Sequence, residues 1–243
     1  MRKSSDRAEL PRPFVIREMH QETPRVMRFV FDQPLPAQPG QFVMAWLPGV
    51  NEKPFSLMDA HPLTLVVAKV GPFTEAMHAL RVGDRVWMRG PFGNGFTLAG
   101  SRLLLVAGGY GAAPLAFLAR RAREASCHVS VVLGARTAAE LLLAGYFGYL
   151  GCEVFTCTDD GSDGYPMLAD ERAAHVLEAD SFDQLYACGP EAMLEAVERL
   201  TRQRGLPAQI SREAYMRCGI GVCGSCTCAD QLVCRDGPVF RVG

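Results

Sequence analysis

No apolar run in these 243 residues approaches the length of a membrane span. The longest, such as Leu103–Ala107 and Val129–Leu133, have the length of buried strands. Nor does one sign of charge prevail. There are 25 basic and 26 acidic residues, a formal net charge of -1, which gives no electrostatic footprint for nucleic-acid binding. The chain opens Met1-Arg2-Lys3-Ser4-Ser5-Asp6 without an apolar signal segment, so a soluble, cytoplasmic protein without disulfides is expected. Histidine is scarce, with five in all, and internal repeats and low-complexity segments are missing. What is present is 49% hydrophobic content, enough for a core in one large or two modest domains.

The cysteines stand out against that background. Nine occur, and five of them lie in the C-terminal stretch from Cys218 through Cys223, Cys226 and Cys228 to Cys234. The spacing C-x4-C-x2-C with a further cysteine downstream is that of plant-type [2Fe–2S] ligation. Structural zinc draws instead on paired C-x2-C units or on Cys/His mixtures, and the nearest histidine is His175. Glycines fill the gaps between the cysteines, which suits a loop that must aim backbone N–H groups at sulfur. Two candidates remain for the fourth ligand. Cys228 lies close behind Cys226, whereas Cys234 follows Ala229-Asp-Gln-Leu-Val233, which reads as the return arm of a short hairpin. Cys234 is therefore the expected ligand, and Cys228 is otherwise a small buried residue.

The rest of the chain divides in two. Up to about Ala99 it reads as short strands, Phe14–Ile16, Val26–Phe31, Gln41–Trp46, Leu63–Ala68 and Arg85–Arg89, set apart by turns at Pro39-Gly40, Pro48-Gly49 and Gly83-Asp84. One helix, Thr74–Leu80, interrupts them, and a small closed barrel is expected. From Ser101, strands and helices alternate: strand Leu103–Ala107, helix Ala113–Glu124, strand Val129–Leu133, helix Glu140–Tyr149, strand Glu153–Thr158, helix Met167–Glu178, strand Gln184–Ala187 and helix Glu191–Arg204. That pattern implies a parallel sheet with helices on both faces. The expected architecture is α+β and multidomain: an N-terminal antiparallel β-barrel (residues 1–99), an α/β parallel-sheet nucleotide-binding domain (100–207) and a small C-terminal cluster segment (208–243).

Three stretches carry the chemistry of these two parts. Gly108, Gly109 and Gly111 sit between a strand and a helix that begins near Pro114, where backbone and helix dipole can receive a pyrophosphate, although G-x-G-x-x-G is not matched. Cys188-Gly189-Pro190 and Asp159-Asp160-Gly161-Ser162 follow later strands of the series, on the edge where open parallel sheets bind ligands. In the barrel, Lys53-Pro54-Phe55-Ser56-Leu57 offers a charge for phosphate and a hydroxyl or N–H for a flavin nitrogen.

Together these residues resemble the ferredoxin reductase-like flavoproteins, and within them the electron-transfer subunits of class 1B dihydroorotate dehydrogenase. The resemblance spans nearly the whole chain. It rests on Pro39-Gly-Gln-Phe42, Lys53-Pro-Phe-Ser56, Gly90-Pro-Phe-Gly-Asn-Gly-Phe96, Ala107-Gly-Gly-Tyr-Gly-Ala-Ala-Pro114, Thr158-Asp-Asp-Gly-Ser162, Cys188-Gly-Pro190, Cys218-Gly-Ile-Gly-Val-Cys223 and Cys234-Arg-Asp-Gly-Pro-Val-Phe240. It implies FAD in the barrel, NAD on the sheet domain and a [2Fe–2S] cluster on Cys218, Cys223, Cys226 and Cys234. It also implies flavin contacts at Lys53, Pro54, Phe55, Ser56, Val66, Val67 and Ala68, a phosphate contact at Phe73 and Thr74, and Cys188 near the nicotinamide without a nucleophilic role. Two departures bear on the flavin. Lysine at 53 keeps the family's charge without arginine's fork, and phenylalanine stands at 73 in place of glycine. The gap from Cys226 to Cys234 is short for the family, so the hairpin should be trimmed.

The implied activity is an oxidoreductase subunit of pyrimidine biosynthesis. A partner subunit with FMN oxidises dihydroorotate, and electrons pass through the cluster and FAD to NAD+. The partner arrangement would be a heterotetramer, and no catalytic base for dihydroorotate is expected in this chain. Related subunits serve NADH-dependent ferredoxin:NADP+ oxidoreductases and sulfhydrogenases. The first cysteine, Cys218, favours the dihydroorotate reading, because those relatives often carry aspartate there. A non-enzymatic redox-sensing metal module is the alternative of another class, and it predicts no flavin. Arg136, after the second strand of the series, would suit a 2′-phosphate or only a surface carboxylate. Ile220, Val222 and Leu232 on the cluster rim would suit a partner interface.

Overall fold

The computed structural model describes residues 10–242. The six residues quoted from the start of the chain lie outside them. The first half forms strands β1 (Arg12–Thr23), β2 (Val26–Phe31), β3 (Phe42–Leu47), β4 (Asn51–Ala60) and β5 (Leu63–Ala68), the helix α1 (Pro72–His78) and strand β6 (Arg85–Phe92). The six strands close into an antiparallel barrel in the order β1-β2-β5-β4-β3-β6. Side chains alternate in and out of it. Phe29, Phe31, Val43, Ala45, Leu65, Val67 and Met88 fill the interior. β3 breaks the usual polar-out pattern, because Phe42 and Met44 on its outer face are also buried, beneath the C-terminal segment. The near-unbroken apolar run of β3 is thus the signature of a strand covered on both faces.

One strand was not separated by sequence. Lys53–Leu57 lies within β4, a ten-residue strand absent from the expected set. Pro54 is tolerated there because β4 pairs with β3 opposite Met44, while its pairing with β5 begins only at Leu57. The helix expected at Thr74–Leu80 starts two residues earlier, with Pro72 at its first position and the Thr74 hydroxyl accepting from the Val70 and Gly71 amides.

The second half continues with β7 (Arg102–Gly108), α2 (Ala112–Glu124), β8 (His128–Ala135), α3 (Ala144–Tyr149), β9 (Glu153–Thr158), α4 (Ala169–Ala179), β10 (Gln184–Cys188), α5 (Glu191–Arg204) and β11 (Ala208–Ser211). Successive residues of β7 face opposite layers. Leu103, Leu105 and Ala107 pack with α2 and α3, whereas Leu104 and Val106 pack with α4 and α5. The helix expected over Glu140–Tyr149 is shorter. Ala138–Glu140 form a separate 3-10 turn, and Leu143, at φ +62°, breaks the chain so that Leu142 and Leu143 both reach the core.

The C-terminal segment adds β12 (Thr227–Cys228), β13 (Gln231–Leu232), the short α6 (Val233–Asp236) and β14 (Val239–Val242). β14 returns to pair antiparallel with β11, so the second sheet is mixed, in the order β14-β11-β10-β7-β8-β9. Both ends of the segment are therefore strands of the second sheet. Helix α2 also ties that sheet to the barrel: Phe117 inserts into the barrel core, and the Arg120 guanidinium donates to the Asp59 carboxylate at 2.7 Å.

Candidate cofactor sites

The cysteine loop is built on glycine. Gly219, Gly221 and Gly224 have φ of +73°, +78° and +71°, a region that side-chain-bearing residues rarely enter. Space is also short, since a Cβ on Gly219 would sit 2.9 Å from Met44 Cγ. The backbone wound in this way turns three consecutive amides onto sulfur. Ile220 and Val222 donate to Cys218 Sγ at 3.5 and 3.4 Å, and Gly221 between them donates to Cys234 Sγ at 3.2 Å. N–H groups aimed at thiolate sulfur stabilise the ligating, anionic form.

The thiols fall into two pairs on either side of that loop. Cys226 Sγ and Cys234 Sγ lie 3.2 Å apart, and the Cys234 amide points at Cys226 Sγ. Cys218 and Cys223 form the other pair. The Cys223 thiol is pulled down to about 6, first by the Ser225 hydroxyl and amide and then by Cys218. Burial works against Cys218, yet the amides of Ile220, Cys223 and Val222 outweigh it and lower that thiol as well. Burial, with the Cys226 contact second, pushes Cys234 up to about 12. Among the described residues no three Cys, His, Asp or Glu side chains surround one metal position. Two pairs differ from the single four-ligand centre of structural zinc, whereas a two-iron cluster takes two thiolates on each iron. The donor set thus fits [2Fe–2S]. The hairpin of β12 and β13 brings Cys234 back against Cys226, and Cys228, expected to be buried, is instead exposed opposite Gln231.

Lys53, Pro54, Phe55 and Ser56 lie along β4, partly exposed. Lys53 Nζ stands 5.1 Å from the centre of the Tyr215 ring, so it reaches toward the chain leading to the cysteines. On β5, Val66 and Ala68 face outward against the sheet domain, but the Val67 side chain is inside the barrel and leaves only its backbone to the surface. Phe73 is buried with its ring 5.9 Å from Phe55, so its bulk goes into the barrel and not over the helix start. The Thr74 hydroxyl is occupied within the loop, donating to Gly71 O at 2.9 Å.

The three nucleotide-loop glycines do different work. A Cβ on Gly111 would lie 2.0 Å from the Cys188 carbonyl oxygen, and one on Gly108 would lie 2.7 Å from Pro190. These two let the Cys188-Gly189-Pro190 turn close against β7. Gly109, at φ +52°, has open space around it and is the position where a ligand has room. Burial, then nearby Glu213, pushes the Cys188 thiol up to about 12. Asp159 is exposed at the end of β9, its amide bound to Ala135 O. Arg136 is forked onto Glu140 at 3.0 and 2.5 Å.

One group escaped the sequence reading. Arg89, largely buried beside the Gly90 motif, makes a bidentate ion pair with Glu52 and donates to the Cys218 carbonyl at 2.6 Å. A charge at the end of a strand gave no hint of a partner 129 residues away.

A barrel beside a parallel-sheet domain, with a thiol loop packed on the barrel, defines the ferredoxin reductase-like class of oxidoreductases, here with an iron–sulfur segment. Comparisons with known proteins agree. Residues 213–243 match the iron–sulfur cluster binding domain of dihydroorotate dehydrogenase B, and residues 105–199 match the oxidoreductase NAD-binding domain. A probable dihydroorotate dehydrogenase B (NAD(+)) electron transfer subunit from Thermococcus kodakarensis is 46% identical over 95% of this chain and 96% of that one. Its counterpart from Methanocaldococcus jannaschii is 42% identical over 93% and 87%. An NADH-dependent reduced ferredoxin-NADP oxidoreductase structure superposes with a TM-score of 0.83 at 30% identity, covering 94% of this chain and 87% of that one. The chain belongs to the family of dihydroorotate dehydrogenase B electron transfer subunits.

Proposed function

We propose that this chain carries electrons from an FMN-containing dihydroorotate dehydrogenase subunit to NAD+, in a cytoplasmic heterotetramer. The observation that carries the reading is likeness along the whole length to electron transfer subunits, ending in the matched iron–sulfur segment. The bound groups would supply single-electron transfer at [2Fe–2S], and at FAD the exchange between single electrons and a hydride.

The chain's own residues hold and orient. Cys218, Cys223, Cys226 and Cys234 would hold the cluster, with the amides of residues 220–222 favouring negative charge on Cys218 and Cys234. Lys53 and Ser56, with the backbone of Val66–Ala68, would line the flavin. Open space at Gly109 suits a pyrophosphate, and Asp159 stands at the sheet edge where a ribose would lie. Cys188 is a neutral, buried thiol that shapes the nicotinamide site and does not attack. Arg136 is already engaged by Glu140, which supports NAD over NADP. Val222 and Ile220 are exposed beside the cysteines, and this rim is the surface offered to the partner.

A second reading, an NADH-dependent ferredoxin:NADP+ oxidoreductase subunit, is favoured by the TM-score of 0.83 but carries the lower identity, 30%. The purified chain with its co-purifying partner separates the two. Flavin and iron–sulfur absorption together with dihydroorotate-dependent NAD+ reduction support the first reading. Ferredoxin-dependent activity without an FMN partner supports the second, and the lack of a flavin band removes both.

A further inference from the structure

Among the described residues, the largely buried Arg89 guanidinium is the cation that joins the barrel to the cysteine loop by a hydrogen bond. Its side chain is 12% exposed and that of Glu52 22%. Glu52 on β4 lies opposite Trp46 of β3, and Arg89 on β6 lies opposite Met44, so the pair spans three neighbouring strands. Arg89 Nε and Nη2 take the two carboxylate oxygens at 2.7 and 2.8 Å, and Nη2 also donates to the Cys218 carbonyl at 2.6 Å. The guanidinium stands 5.3 Å from the centre of the Phe92 ring. Gly219, the next residue after Cys218, packs on Met44 and Phe92. The first cysteine is therefore held to the barrel by a charged, rigid fork.

We propose that Arg89 and Glu52 form a positioning pair that sets both the seat and the reduction potential of the cluster. The inference rests on the reading of Cys218 as a cluster ligand. Arginine stays charged at every accessible pH. A fixed positive charge next to the first ligand favours the form with the extra electron, and it is poorly screened because it is buried. Glu52, paired with the same guanidinium, offsets part of that charge. Arg235 lies near the other thiol pair, but it is 60% exposed and paired with Asp236, so solvent damps its field.

The two partners have opposite signs, which gives a test that a purely structural role does not meet. The cluster potential is measured by EPR-monitored redox titration of the intact complex, with iron content determined alongside. Arg89→Gln is expected to lower the potential by at least a tenfold change in the one-electron equilibrium, about 59 mV. Glu52→Gln is expected to raise it, and Arg89→Lys, which retains the charge, to recover most of the loss. Should Arg89→Gln fail to retain iron, Glu52→Gln decides alone: an upward shift supports the proposal, and an unchanged or lower potential overturns it. Shifts of the same sign in Arg89→Gln and Glu52→Gln also overturn it. A wild-type complex without a [2Fe–2S] signal removes the ligand reading itself, and that outcome is distinct from a cluster whose potential ignores both substitutions.

Discussion

Cys228 and Cys234 end in different surroundings although both follow the third cysteine closely. Cys234 is buried against Cys226 and receives the Gly221 amide, whereas Cys228 projects from an exposed strand. Cys234→Ser is expected to lose the cluster and Cys228→Ser to keep it, as read by iron content and visible absorption. Cys188 gives a prediction with a sign in pH. Its thiol lies at about 12, so the thiolate is scarce below pH 9, and burial closes access besides. Iodoacetamide applied to the folded protein up to pH 9 should leave Cys188 unmodified, and unfolding should expose it, as read by peptide mass. At the ribose edge, Glu140→Gln frees Arg136. An exposed pair contributes only about 0.2–1 kcal/mol, so the preference for NAD over NADP should fall by about fivefold at most, seen in kcat/KM for both nucleotides.

Elements differ in how plainly sequence announces them. The βα alternation from Arg102 to Arg204 was legible because β7 and β8 are short apolar runs and Gly111, Pro190 and Gly205 mark the ends of α2 and α5. β4 was hidden by Pro54 and by its polar start, since its register depends on β3 and β5 and not on its own composition. β11 and β14 were hidden because each has four residues and is defined by its pairing, β11 with β10 and β14, and β14 with β11. The glycine turn of residues 108–111 was legible as a strand-to-helix turn, but not the fact that Gly111 serves the Cys188 turn. Adding a methyl group there sets Cβ 2.0 Å from a backbone oxygen. Gly111→Ala should therefore displace the turn, destabilise the protein by about 1–3 kcal/mol and weaken nucleotide binding, as shown by thermal unfolding and NADH titration. Gly109→Ala meets no atom but is strained at positive φ, so its structural cost should be smaller.

Across the whole molecule, the cysteines proposed as cluster ligands lie in a segment whose two ends belong to the second sheet and whose middle covers the barrel. The cysteine spacing revealed the cluster from sequence, but its seat depends on tertiary contacts such as Arg89 with Cys218, which no local pattern encodes. That seat places the thiol loop against the barrel wall next to the residues assigned to the flavin, with Val222 and Ile220 facing outward. In the proposed route, electrons from dihydroorotate reach NAD+ only through this loop. The most direct measurement is NADH formation from dihydroorotate and NAD+ by the assembled complex carrying Cys226→Ser, with dye-linked dihydroorotate oxidation by the partner recorded in parallel. The account predicts that NADH formation stops while dye reduction continues. NADH formed at an undiminished rate in that variant would contradict it.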